Sequence, residues 1–265
     1  MSKAKRGKRV RPSQARSQGL TGRAAFRRSP VPRPKASLAA TARTLRRRPS
    51  SLPTSGENLK NRARRIASTM LREYPEAKTA LKHRSALQLL IATILSAQCT
   101  DERVNVVTME LFRKYKTAAD FAAAAPNELE TEIHSVGFFR QKTRSIIQCC
   151  KDIVEEHGNR VPDTIEELTS LRGVGRKTAN VVLSNVHGRP AVVVDTHVKR
   201  VALRLGLTRN TDPDRIEQDI MRLLPGDYWS PFSGALILHG RAVCAARKPR
   251  CQACVVENLC PSSTA

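Results

Sequence analysis

The stretch Leu171-Arg172-Gly173-Val174-Gly175-Arg176-Lys177-Thr178-Ala179-Asn180-Val181-Val182-Leu183 decides how this chain is read. Two glycines flank a single valine, between an apolar segment that ends near Leu171 and a helical pattern that begins near Gly175. Glycine tolerates backbone conformations closed to other residues, so Gly173 and Gly175 permit a tight turn with N–H groups facing outward. The second helix brings its positive end to the same place, and the combination can hold a phosphate. The same residues also fit a helix end followed by a new helix, with Arg176 and Lys177 as solvated side chains.

Outward from this turn the pattern is helical. Ser85 to Gln98 is apolar on nearly all sides and reads as a buried helix, while Arg140 to His157 sets Ile146, Ile147, Cys150, Ile153 and Val154 on one face at helical spacing. Thr164 with Glu167 three residues on reads as a capping box, and Asp212-Pro213 as an N-cap followed by proline in the first turn. One ambiguous run, Ala191-Val192-Val193-Val194, suits a short extended entry into a helix. No alternating strand pattern or internal repeat stands out, and the fold class expected is all-α with about nine or ten short helices.

Charge divides the chain. Of a formal net charge of +24, sixteen units come from residues 1–56, which hold sixteen Lys or Arg and no Asp or Glu, leaving +8 for the other residues. Six of the fifteen prolines lie there too, and the composition predicts a disordered basic tail. Such a balance suits a polyanionic partner and argues against an enzyme of neutral metabolites. No stretch approaches the eighteen apolar residues of a membrane span, and the amino terminus lacks the apolar core of a secretory signal, so a cytoplasmic protein without a membrane partner is expected.

Four of the seven cysteines, Cys244, Cys251, Cys254 and Cys260, follow the spacing Cys-x6-Cys-x2-Cys-x5-Cys. In a reducing compartment this reads as a metal site before it reads as disulfides, and the spacing alone admits structural zinc or a [4Fe-4S] cluster. Arg247, Lys248 and Arg250 lie between the first two cysteines. A loop pinned at both ends would present these cations to phosphates at little entropic cost. Cys99, Cys149 and Cys150 read as small buried apolar groups.

The glycine turn, Val194-Asp195-Thr196-His197, Leu95-Ser96-Ala97-Gln98 and the four cysteines stand in the order found in bacterial endonuclease III. The chain resembles that helix-hairpin-helix family of DNA glycosylases and abasic-site lyases from about residue 60 to residue 260. The resemblance implies that Lys177 is the nucleophile, attacking the deoxyribose C1′ of a damaged nucleotide, expelling the base and forming a Schiff base. A lysine of ordinary pKa, about 10.4, is mostly protonated at neutral pH, so partial desolvation beside the positive helix end is expected to favour the free amine. Asp195 is implied to assist catalysis, and it is also a natural N-cap for the helix that follows.

By the same resemblance the cysteines imply [4Fe-4S] in a structural role, and DNA contacts are implied for Gly173, Gly175 and Arg176 of the hairpin and for Arg247, Lys248 and Arg250 of the loop between the cysteines. Gln98 is implied to fill the gap left by an extruded nucleotide. Phe138, after Gly137, takes the place of the family's leucine wedge, although a phenylalanine there also suits a core position. Asp101 is a candidate for lining the base pocket. Arg172 stands where the family usually has proline, which would loosen one turn of the hairpin and add a cation near the phosphate.

The implied architecture is two helical lobes with the active site in the cleft between them. Residues 79–189 would form a helical barrel carrying the hairpin, and 57–78 with 190–265 the iron-sulfur domain, behind the tail of residues 1–56. The implied function is excision of oxidised pyrimidines from duplex DNA and β-elimination 3′ to the abasic site, by a monomer acting on double-stranded DNA at the nucleoid. Two rivals are a mismatch adenine glycosylase and a non-catalytic DNA-binding protein. The first lacks the hairpin lysine, and the second predicts no effect of changing Lys177. The tail's composition fits a DNA-tethering arm and an organelle transit peptide alike, and we read it as the arm.

Overall fold

The computed structural model describes residues 58–77 and 79–264, all within the unit Ser50–Ala265. The basic tail of residues 1–56 lies outside the described residues. Among these residues the chain is all-helical, as expected from its patterning, with eleven α-helices rather than nine or ten. In order they are α1 (Leu59–Glu73), α2 (Ala86–Leu95), α3 (Asp101–Lys114), α4 (Ala118–Ala122), α5 (Pro126–Ile133), α6 (Phe139–Glu156), α7 (Ile165–Ser170), α8 (Arg176–Asn185), α9 (Thr196–Arg204), α10 (Pro213–Leu223) and α11 (Gly226–Ala242). Short 3-10 turns occupy His134–Val136, Cys251–Ala253 and Glu257–Leu259. No described helix is long and apolar enough to cross a membrane.

Side chains that satisfy free N–H groups mark most helix starts. Ser85 caps α2, Thr100 caps α3, Thr164 caps α7 and Asp212 caps α10 ahead of Pro213. Two expectations shift in detail. The Glu167 carboxylate meets the Thr164 hydroxyl at 2.6 Å, while the reciprocal capping box occurs at Thr117 and Asp120. Helix α2 ends at Leu95, so Ser96, Ala97 and Gln98 form a turn at its C-terminus.

Apolar side chains gather in two clusters. The first holds buried residues of α2 to α8, from Leu81 to Ala191, and the second joins α1 to the residues from Val192 onward. The switch falls within Ala191–Val194, where Ala191 packs with the first cluster and Val192 and Val194 with the second. The segment has no regular secondary structure and pairs with no described strand. Its polar groups go instead to side chains: the Ser230 and Ser233 hydroxyls accept from the N–H groups of Ala191 and Val193, and the Asn180 amide donates to the Val192 carbonyl. The polar backbone of this valine run is thus met by side chains and not by a neighbouring strand.

Candidate active site and four-cysteine loop

The hairpin forms where the glycines place it. Leu171 closes α7, the Val174 N–H donates to the Leu171 carbonyl, and Gly175 is the N-cap of α8. The two glycines serve different ends. Gly173 has φ +80°, and a Cβ there would stand 2.7 Å from Cβ of Ser145 on α6, so the turn requires glycine and lies against that helix. Gly175 has φ −87°, and a Cβ there would meet nothing within 4 Å. Its bare face is turned to open space.

No side chain caps α8 and no acid lies in its first turn, which leaves free N–H groups and the positive end of the helix beside Gly175. Arg172 does not loosen the turn as its replacement of proline suggested. Its backbone N–H, which proline would lack, donates to Oδ2 of Asp152 on α6 at 3.0 Å and fastens the hairpin there.

Lys177 occupies the second position of α8, exposed, and makes no hydrogen bond or ion pair to any described residue. Protein atoms therefore do not bury its amine, and the desolvation expected from the sequence is not supplied by the chain alone. Arg176, implied as a DNA contact, lays its guanidinium on Glu217 of α10, with bonds of 2.9 and 2.8 Å, and its side chain stays 40% exposed. Glu217 is buried and also accepts from Asn180 at 3.0 Å, while the same Asn180 amide donates to Val192. This bridge, invisible in the hairpin motif, ties the helix bearing Lys177 to α10 and to the segment leading to Asp195. Burial of Glu217 beside an arginine is its cause, and the guanidinium is held all the more firmly in its charged form by that carboxylate.

Asp195 is the N-cap of α9, and its Oδ1 accepts from the N–H groups of His197 and Val198, both at 2.8 Å. Lys177 thus stands on a helix of the first cluster, and Asp195 heads a helix of the second. Asp101, in the first turn of α3, has its carboxylate 3.7 Å from Arg241 of α11.

Gln98 and Phe138 share an unusual backbone. Both have positive φ, 53° and 47°, and both are exposed. Phe138 is 66% exposed, which excludes the core position; its neighbour Phe139 turns inward against His134. Sequence reading missed Lys142, which is buried in the first turns of α6 and donates to the carbonyls of Leu95 and Val136. Its place on the apolar stripe, four residues before Ile146, was the available signal.

All four C-terminal cysteines line one cavity of about 30 Å³, together with Val201, Leu205 and His239. His239 Nε2 lies 3.4 Å from Cys254 Sγ, and the Cys260 thiol donates to the Arg204 carbonyl at 3.4 Å. The other two sulfurs accept, Cys244 Sγ from Arg204 Nη1 at 3.2 Å and Cys251 Sγ from Thr264 Oγ1 at 3.5 Å. Such donors suit thiolates. In the loop between Cys244 and Cys251, Arg247 and Lys248 are exposed and make no hydrogen bond to a described residue. Arg250 folds back, its guanidinium donating to the Ala242 carbonyl. Cys149 and Cys150 are buried, as read from the sequence, whereas Cys99, in the turn after α2, is only partly buried, and burial pushes the Cys149 thiol up to about 12.

Comparison with known proteins agrees with this geometry. The family description "HhH-GPD superfamily base excision DNA repair protein" matches residues 91–226. Endonuclease III of Synechocystis sp. is 52% identical over 217 residues, 82% of this chain and 99% of that protein. Endonuclease III of Bacillus subtilis (strain 168) is 45% identical over 188 residues, 71% of this chain and 86% of that protein. A solved endonuclease III trapped as a covalent intermediate with DNA superposes with a TM-score of 0.73 at 42% identity, covering 77% of this chain and 96% of that one. The chain therefore belongs to the HhH-GPD superfamily of base excision DNA repair proteins and, within it, to the endonuclease III family of DNA glycosylases that are also abasic-site lyases.

Proposed function

We propose that this chain binds duplex DNA containing oxidised pyrimidines or abasic sites and acts through Lys177 in the cleft between two lobes, residues 79–189 and residues 57–78 with 190–265. The observation that carries the reading is an unpaired, exposed amine at the second position of α8, beside the uncapped positive end of that helix and the bare face of Gly175. A backbone phosphate lying against Gly175 and the first N–H groups of α8 would bring the adjoining sugar to the amine. Covering the amine is then a task for bound DNA.

Nζ of Lys177, as the free amine, attacks C1′ of the damaged nucleotide. The glycosidic bond breaks, the base leaves with the electron pair and takes up a proton, and the sugar opens to a Schiff base with the lysine. Loss of a C2′ proton then expels the 3′ phosphate by β-elimination, and water returns the amine. Asp195 supports this by taking the proton from the lysine and stabilising positive charge on the sugar. Its position favours the task, since the cap bonds at Oδ1 hold the carboxylate rigid.

Cys244, Cys251, Cys254 and Cys260 would hold a [4Fe-4S] cluster. They line one cavity, and four thiolates with the spacing Cys-x6-Cys-x2-Cys-x5-Cys are the donor set that such a cluster takes. When bound, the cluster supplies iron–thiolate bonds that fix the loop, and base excision needs no electron from it. The fixed loop presents Arg247 and Lys248 to the DNA backbone, while Gln98 and Phe138 fill the space of the extruded nucleotide. We further assign the protein to the cytoplasm, acting as a monomer on nucleoid DNA with residues 1–56 as a tethering arm.

The test is to incubate the protein with a thymine-glycol duplex and reduce with borohydride. A covalent adduct is expected from the wild type and none from Lys177→Gln. Equal yields would overturn the assignment of Lys177.

A further inference from the structure

Lys142 is a buried cation placed where a cation is costly. Only 5% of it is exposed, among the described residues no carboxylate pairs with it, and it lies near the start of α6, where the helix field disfavours positive charge. Desolvation accordingly lowers its pKa. An apolar side chain would fill this position at less cost, since Ile146, Cys149 and Cys150 continue the same buried stripe.

The ammonium makes two bonds, 2.9 Å to the carbonyl of Leu95 and 3.0 Å to that of Val136. Leu95 ends α2, and three residues later stands Gln98 at φ 53°. Val136 ends the 3-10 turn His134–Val136, and two residues later stands Phe138 at φ 47°. Left-handed backbone at a non-glycine residue is strained, and it persists only where its surroundings over-determine it. Here one nitrogen holds the root of both strained segments and so fixes their spacing.

We propose that Lys142 is a positioning residue that locks the Gln98 and Phe138 turns into one rigid wedge, so that both enter the duplex together when the damaged nucleotide is extruded. The inference rests on the reading of Gln98 and Phe138 as the residues that fill the gap. Removing the ammonium frees two buried carbonyls and lets the turns move independently. Base excision, which must unstack and replace a base, then suffers more than Schiff-base formation at an abasic site, where no base is displaced.

The experiment measures single-turnover excision of thymine glycol and borohydride trapping on a preformed abasic duplex, using the full-length protein. The variants are Lys142→Met, Lys142→Arg, Gln98→Ala with Phe138→Ala, and the triple variant, with thermal melting of each. Lys142→Met is expected to lose about tenfold more in excision than in trapping, with partial rescue in Lys142→Arg. In the triple variant Lys142→Met is expected to add no more than about twofold to the loss already caused by the pair. A full additive loss there, or equal losses in both assays, would show that Lys142 only supports the fold and overturn the proposal. If the Gln98/Phe138 pair excises at the wild-type rate, the wedge reading itself fails and the proposal with it. Should Lys142→Met fail to fold, Lys142→Gln replaces it in the same comparison.

Discussion

The guanidinium of Arg176 faces the carboxylate of Glu217 fork to fork, Nε to Oε2 at 2.9 Å and Nη2 to Oε1 at 2.8 Å. The residue before the proposed nucleophile is thereby tied to a buried acid on α10, with Asn180 as second donor to the same carboxylate. Removing the arginine leaves that carboxylate with one amide. The Arg176 side chain is 40% exposed, so the loss from Arg176→Ala should fall below that of a fully buried pair, about 2 kcal/mol. Denaturant unfolding checks it. Glu217→Gln, which keeps shape and one acceptor, should cost less.

Gly173 and Gly175 should respond oppositely to alanine. At Gly173 the backbone is left-handed and Ser145 blocks the new methyl, so Gly173→Ala should lose about 1–3 kcal/mol of stability. At Gly175 the methyl meets no protein atom, so stability should stay within about 0.5 kcal/mol while DNA affinity falls. Thermal melts and binding at one fixed salt concentration separate the two. Unaltered affinity in Gly175→Ala would remove the phosphate from the hairpin.

Asp195 caps α9, and one pair of variants can divide that task from the catalytic one proposed for it. Asparagine is as good an N-cap as aspartate, so Asp195→Asn should change stability by less than about 0.5 kcal/mol while excision slows by about 100-fold or more. Asp195→Ala should match that slowing and also lose about 1 kcal/mol from the lost cap. Single-turnover excision with unfolding curves reads both; a fast Asp195→Asn enzyme leaves capping as its sole role.

The cysteine loop predicts a split among its three cations. Arg247→Ala and Lys248→Ala should each lower the slope of log affinity against log salt by about 0.9, the signature of one lost phosphate contact. Arg250 donates to the Ala242 carbonyl at the end of α11 and so fastens the loop to that helix, and Arg250→Ala should disturb loop stability more than the salt slope.

Iron analysis should return about four irons per chain with broad visible absorption. Loss of the metal should weaken DNA binding, because the unpinned loop must then be ordered on binding. A colourless protein holding zinc would replace the cluster in this account.

Much of the fold was legible because it is local. The Gly-Val-Gly spacing, the apolar stripe of α6 and the caps at Thr164 and Asp212 are settled by neighbours a few residues away, and the structure places hairpin and helices accordingly. Exposure of Phe138 was not legible, because a phenylalanine after glycine suits either core or surface until its left-handed backbone is known.

The sequence by itself determined the all-helical class, the glycine turn with Lys177 behind it and four cysteines close enough along the chain to share a site, since each follows from residue type and short-range spacing. Only the tertiary structure decided what long-range partners do. Arg176 meets Glu217 forty-one residues away, and Lys142 reaches Leu95 forty-seven residues back. Both depend on buried charges finding partners once helices pack, a choice that burial makes costly to leave unmet and that no local pattern encodes.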